Sequence, residues 1–206
     1  VLFRSRLILS FVLTYGLAIY LYINKENLPS EVTAFLPEIF AGIALILVLK
    51  AFTQRRSVRM SWWLIVFNHF WVAMALTING NYDLKETGIY LVGILIAGII
   101  GAITLQRLFK QEGKITLNRF QGLVENHPKI AFAFFLCSLG ITGFPITPTF
   151  IGEDLIFTHI REDQLVLASL ISLSFILDGL SAIRIYARVF LGPNYRTHST
   201  FSNRYF

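Results

Sequence analysis

Apolar residues in this chain come in long unbroken blocks, and the polar residues are confined to the connectors between them. Six blocks stand out: 6–23, 36–52, 61–78, 87–108, 129–160 and 164–191. A helix crossing the hydrocarbon core of a bilayer needs about 20 apolar residues, and the first four blocks are close to that length. The fifth is too long for one straight span and contains Gly143-Phe144-Pro145-Ile146-Thr147-Pro148. Two prolines three apart remove two backbone donors and clash with the preceding turn, so the helix must break there. The halves 129–142 and 149–160 then stack as one discontinuous helix. A full span followed by an interfacial amphipathic helix is the competing arrangement. The pattern predicts an all-α polytopic membrane bundle of six crossings, one of them discontinuous. Between the fourth and fifth blocks, Ile115, Leu117, Phe120, Leu123 and Val124 recur at roughly helical spacing, which predicts a short helix lying at the membrane surface.

Composition agrees with that picture. Of 206 residues, 55% are hydrophobic and 15% charged, and the mean hydropathy is +0.63. The net charge of +6 does not indicate nucleic acid, because the basic residues sit between apolar blocks rather than on one soluble face. They act as topology signals. Arg6 precedes the first block, and Arg55, Arg56 and Arg59 follow the second. Arg107, Lys110, Lys114, Arg119 and Lys129 surround the connector after the fourth, and Arg184, Arg188, Arg196 and Arg204 cluster at or after the end of the sixth. The other connectors hold only Lys25, Lys85 and Arg161. The positives alternate sides in step with six crossings, which puts both ends on the cytoplasmic side of a bacterial inner membrane. Counting the fifth block as a single crossing is required for this agreement.

Residues 1–5 match the translation of a common sequencing adapter, so they are expected to be non-native. The transmembrane domain is then 6–192, a fragment of a larger bundle, with a polar tail at 193–206. Cys137 is the single cysteine. It excludes an internal disulfide and a cysteine-based metal cluster. Nothing in the sequence calls for a cofactor, a metal or a catalytic nucleophile.

A titratable side chain inside a bilayer is costly and marks a functional hypothesis. Lys50, Arg184 and Arg188 lie near block ends and read as anchors that snorkel to the surface. Trp62 and Trp63 open the third block as interfacial belt residues. Asn68 and His69 fall in the middle of that block, where His69 is either a hydrogen-bonded neutral imidazole or a proton relay. Glu153 and Asp154 follow the prolines and open the second half-helix. There the helix dipole favours the charged carboxylate and burial favours the neutral one, the balance a proton carrier needs. Their alternative is a place at the outer surface near Arg161. Asp178 lies at the centre of the last block. Helical spacing sets Ser174 and Ser181 on its face, flanked by Ile171 and Ile185, so this stripe is expected to face the bundle. Arg184 lies too far along to be its partner, and His69 is the candidate on another helix. Asp178 is either a relay or a protonated group holding helices together.

These residues carry a resemblance. Gly122-Leu123, His127-Pro128, an apolar run to Gly140-Ile141-Thr142-Gly143-Phe144-Pro145, and then Phe150-Ile151-Gly152-Glu153 resemble the proton-conducting, antiporter-like membrane subunits. That family includes the pumping subunits of respiratory complex I, the large Mrp antiporter subunits and the membrane subunit of an inorganic-carbon transporter. The likeness runs over about 107–192, closing on Arg188 and Gly192, while the first half matches only as hydrophobic helices. It implies a discontinuous helix with its break at Gly143, Pro145 and Pro148. Glu153 then stands where the family has its ionisable residue, and protons, lipid and other membrane and peripheral subunits are the partners. Two departures stand against it. Span four is read as empty of titratable side chains from Gly88 to Leu105, which thins the polar axis. The Pro-Ile-Thr-Pro-Thr wording of the break points to a divergent branch, nearer the inorganic-carbon transporter subunits. Conduction of protons within an NADH:quinone oxidoreductase-type or antiporter-type complex is the expected function. The alternatives are a non-conducting structural subunit that anchors partners, and an unrelated secondary transporter.

Overall fold

In the computed structural model, residues 2–80 and 84–193 are described. Arg196 and Arg204, the side chain of Arg6 and the polar tail from 194 onward lie outside the described residues. The described chain is helical with no strand. Its helices are α1 (Leu2–Ile23), α2 (Ser30–Thr53), α3 (Val58–Asn79), α4 (Leu84–Glu112), α5 (Pro128–Ile141), α6 (Pro148–His159) and α7 (Leu165–Phe190). Among the described residues, α2, α3, α4 and α7 are long and apolar enough to cross a membrane. The protein is an all-α integral membrane bundle.

The organising element is α3. It is the least apolar of the four long helices and by far the most buried. In lipid the helices that meet the tails carry the most hydrocarbon, and a helix with polar groups needs protein on every side. Ser57 caps its start, accepting a hydrogen bond from the Met60 N–H at 3.2 Å, and Gly80 ends it with φ 80°, as left-handed helix ends favour. On one side α1 lays Phe11 flat on Phe67 (centroids 3.9 Å apart, planes at 6°) and Tyr15 edge-on to Trp71. On the other, Trp62 is fully buried and donates its indole N–H to the Gly98 carbonyl of α4 at 2.9 Å. Trp62 is therefore not an interfacial belt residue. The missing side chain at Gly101 leaves room for its ring, and only Trp63 stays half-exposed.

The predicted surface helix between α4 and α5 is absent. Residues 113–127 form an irregular connector whose backbone donors are used elsewhere. The Gln121, Leu123 and Val124 amides donate to the carbonyls of Arg188, Val189 and Phe190, and the Leu117 amide to that of Arg55. The last carbonyls of a helix lack partners within it, and this connector satisfies those of α7. Ile115, Leu117 and Leu123 are buried in the process, so their apolar spacing reflects packing under a helix end.

The fifth block forms two helices. It stops at Ile141, ahead of both prolines. Gly143 takes φ 64°, and the Phe144 amide reaches back to the Leu139 carbonyl at 3.1 Å, a glycine-capped helix end. Pro148 then opens α6 at its first turn, where a missing N–H costs nothing. At 14 and 12 residues the two helices are about 21 and 18 Å long, each too short for a hydrocarbon core of about 30 Å.

Candidate functional site

Asn68 and His69 sit at the middle of α3, and Asp178 at the middle of α7. On α7 the buried face is Ile171, Ser174, Asp178, Ser181 and Ile185, so the polar stripe faces the bundle. Asp178 meets His69 there, with Nε2 3.3 Å from Oδ2 and both side chains almost fully buried. The contact lies in ion-pair range, and His69 and Asn68 are the polar side chains that face the Asp178 carboxyl group. The serines do not serve the carboxyl group. Ser174 donates to the Asn68 side-chain oxygen at 2.7 Å, and Ser181 bonds back to the Leu177 carbonyl. Phe175 lies beside the His69 ring, with centroids 6.1 Å apart.

A third helix completes the cluster. The Tyr90 phenol on α4, fully buried, lies 2.6 Å from His69 Nδ1. If Nδ1 accepts the phenol proton, the imidazole keeps its own proton on Nε2, facing Asp178. Reading span four as empty of titratable groups therefore fails at Tyr90. A tyrosine in an apolar run looks like core packing, and no spacing signal within α4 marks it. Its place depends on Gly152 of α6, where an added Cβ would stand 2.6 Å from the Tyr90 Cβ.

Glu153 lies on α6, half-buried. Its carboxylate rests against Gly143, in the space a side chain there would fill, and it lies within electrostatic reach of His69 and Asp178. Because α6 starts at Pro148, Glu153 lies past the first turn. The helix dipole, which fades within that turn, adds little there. Asp154 is exposed, as expected for a neighbour about 100° around the helix. Pro145 lies in the turn and Pro148 at the start of α6. Thr149, in that first turn, is fully buried with an unpartnered hydroxyl.

Arg184 is no snorkelling anchor. It turns inward and donates to the Phe52 and Gln54 carbonyls at the end of α2. Arg188 covers the Phe120 ring at 4.4 Å.

The cluster falls almost wholly inside the stretch matched by a family model, residues 67–177, described as NADH:quinone oxidoreductase/Mrp antiporter, TM. The chain belongs to that family. The match begins within α3, well before 107, so the first half carries family signal beyond hydrophobicity, and the unrelated-transporter reading falls. NADH-ubiquinone oxidoreductase chain 4 of Dictyostelium citrinum is 36% identical over 74 residues, 36% of this chain and 18% of the relative. NADH-quinone oxidoreductase subunit N 1 of Streptomyces griseus is 26% identical over 150 residues, 72% of this chain and 30% of the relative. A Na(+)/H(+) antiporter subunit of Bacillus subtilis is 28% identical over 111 residues, 50% of this chain and 21% of the relative. The chain thus spans less than a third of the length of each of these family members.

Proposed function

We propose that this chain is part of a proton-conducting membrane subunit of an NADH:quinone oxidoreductase-type or Mrp-type complex, with His69, Asp178 and Glu153 as its proton-carrying groups. The observation that carries the reading is the His69–Asp178 pair, sealed at the centres of two helices and held from a third by Tyr90. Burying such a pair costs more than filling the same space with apolar side chains. Within a membrane, ionisable groups are kept where protons or ions must pass. Tyr90 restores the polar axis on α4 whose apparent thinness favoured a purely structural subunit.

The break is read as one crossing made of two half-helices. Contacts along α4 support it: Gly140 packs against Ala97, Thr149 against Gly93, Gly152 against Tyr90, and His159 against Glu86. The partners thus advance from α5 into α6 as α4 is followed backward, the order that end-to-end stacking would give. Glu153 then lies beside the break, next to the central pair. With one crossing there, the charge alternation favours both ends on the same, cytoplasmic side, and a bacterial inner membrane is the proposed location. Lipid and the other membrane and peripheral subunits of the complex are the partners.

The test is proton flux through the full-length protein in its complex, reconstituted into sealed liposomes. Glu153→Gln and Asp178→Asn keep shape and most hydrogen bonding but cannot release a proton. Each is expected to abolish pH-driven flux while assembly stays normal, and Asp154→Asn to conduct normally. Wild-type flux in both of the first two variants would refute the reading.

A further inference from the structure

We propose that the central pair communicates with one end of the bundle through a ladder of side chains on the facing sides of α3, α4 and α6. Its rungs are Tyr90, the Thr77–Thr87 hydroxyl pair and, as the group exchanging protons with water, the Glu86–His159 pair. This inference rests on the conduction reading above and names the outer half of the path.

Thr87 lies three residues and Glu86 four residues before Tyr90 on α4, so all three share one face of that helix. The Thr87 and Thr77 oxygens are 3.1 Å apart, and both residues are buried. The Thr77 hydroxyl also bonds to the Ala73 carbonyl at 2.8 Å, and either threonine can be the donor within the pair. A threonine that merely packs needs only the carbonyl of its own helix. The cross-helix pair instead joins α3 to α4 on the line from Tyr90 to the helix ends. Beside Thr87 on α4, Glu86 has its Oε2 3.4 Å from His159 Nε2, with the His159 and Glu86 side chains 30% and 28% exposed. Exposure thus rises outward, from 0% and 2% at His69 and Asp178, through 8% and 9% at Thr77 and Thr87, to the half-open pair.

The opposite direction, towards the start of α3, is lined by large aromatic side chains among the described residues. Trp62, Phe134 and Phe190 pack there with tilted rings, centroids 4.8 and 5.7 Å apart, and the Ser61 and Ser181 hydroxyls bond to backbone carbonyls. The proton balance is simple. Thr77 first turns its hydroxyl away from the Ala73 carbonyl, and each hydroxyl then passes its own proton outward as it accepts one from behind, so no rung carries a net charge between transfers. The Glu86–His159 pair takes the proton and releases it to water. Tyr90 and Thr87 are about one turn, roughly 5 Å, apart along α4, a gap that one bridging water spans, and Glu86 is the residue next to Thr87.

Flux is measured on the full-length protein in its complex, in liposomes with a pH-sensitive dye inside and a potassium diffusion potential as driving force. It is normalised to the amount inserted. Thr87→Val is expected to cut flux roughly tenfold or more, and Thr87→Ser, which restores the hydroxyl, to recover most of it. Glu86→Gln and His159→Asn should each reduce flux, and the double variant should fall no lower than the worse single one, as for groups acting at a single step. Independent structural damage would instead multiply. If Thr87→Val fails to insert, Thr77→Val tests the same rung from α3. Wild-type flux in Thr87→Val (or that substitute) and in the double variant, with Glu153→Gln and Asp178→Asn inactive, overturns the ladder and leaves the conduction reading standing. Wild-type flux in all of them overturns both.

Discussion

Gly152 of α6 lies against Tyr90 of α4 so closely that a Cβ on the glycine would stand 2.8 Å from the Tyr90 Cα. That atom is backbone and cannot swing aside. Gly152→Ala therefore has to push α6 off α4 or drag Tyr90 away from His69. Overpacking of this kind costs about 1–3 kcal/mol. The expected result is a less stable protein in denaturant titration, with the His69 ring nitrogens shifted in 15N spectra.

Tyr90→Phe removes the oxygen 2.6 Å from His69 Nδ1 and little else. The lost hydrogen bond is worth about 1 kcal/mol, so the protein should still insert and assemble. The imidazole proton is then free to sit on either nitrogen. Proton flux is expected to fall roughly tenfold, with the 15N signals of His69 showing mixed tautomers. A single unchanged tautomer with full flux would mean that Tyr90 does not orient the ring.

Arg184 offers a contrast, because it holds the end of α2 and not the central cluster. Its guanidinium serves the Phe52 and Gln54 carbonyls, and hydrogen bonds from charged groups are worth about 1.5–3 kcal/mol. Arg184→Ala should lower stability by that order while flux per inserted molecule stays at the wild-type level. Loss of flux without loss of stability would place Arg184 on the path instead.

The long spans were legible because the bilayer demands unbroken apolar length, a local property of sequence. Asp178 and its stripe were legible for the same reason: a carboxylate amid isoleucines has to face inward, and 3.6-residue spacing names its companions. Tyr90 was not, because its role depends on Gly152 of another helix, and a tyrosine in an apolar run reads as packing. The connector at 113–127 misled for a related reason. Its apolar spacing was real, but its backbone donors belong to the end of α7, which no local window contains. That the fifth block could not run as one straight helix was anticipated from the prolines, whereas the residue that ends α5 is Gly143 with its left-handed backbone.

Gly143 and Gly80 together separate backbone strain from displacement of Glu153. Both have positive φ, 64° and 80°, so alanine at either costs about 1–2 kcal/mol in a left-handed conformation. Around Gly80 an added Cβ meets nothing within 4 Å, and Gly80→Ala should show that backbone cost alone, with flux intact. At Gly143 the same atom would occupy the position of the Glu153 carboxylate. Gly143→Ala must therefore also move that carboxylate away from the break and from His69 and Asp178. Equal losses of stability in the two variants, with flux lost only in Gly143→Ala, would tie transport to the position of Glu153. Equal flux in the two would show that the carboxylate can move without consequence, and would remove Glu153 from the path.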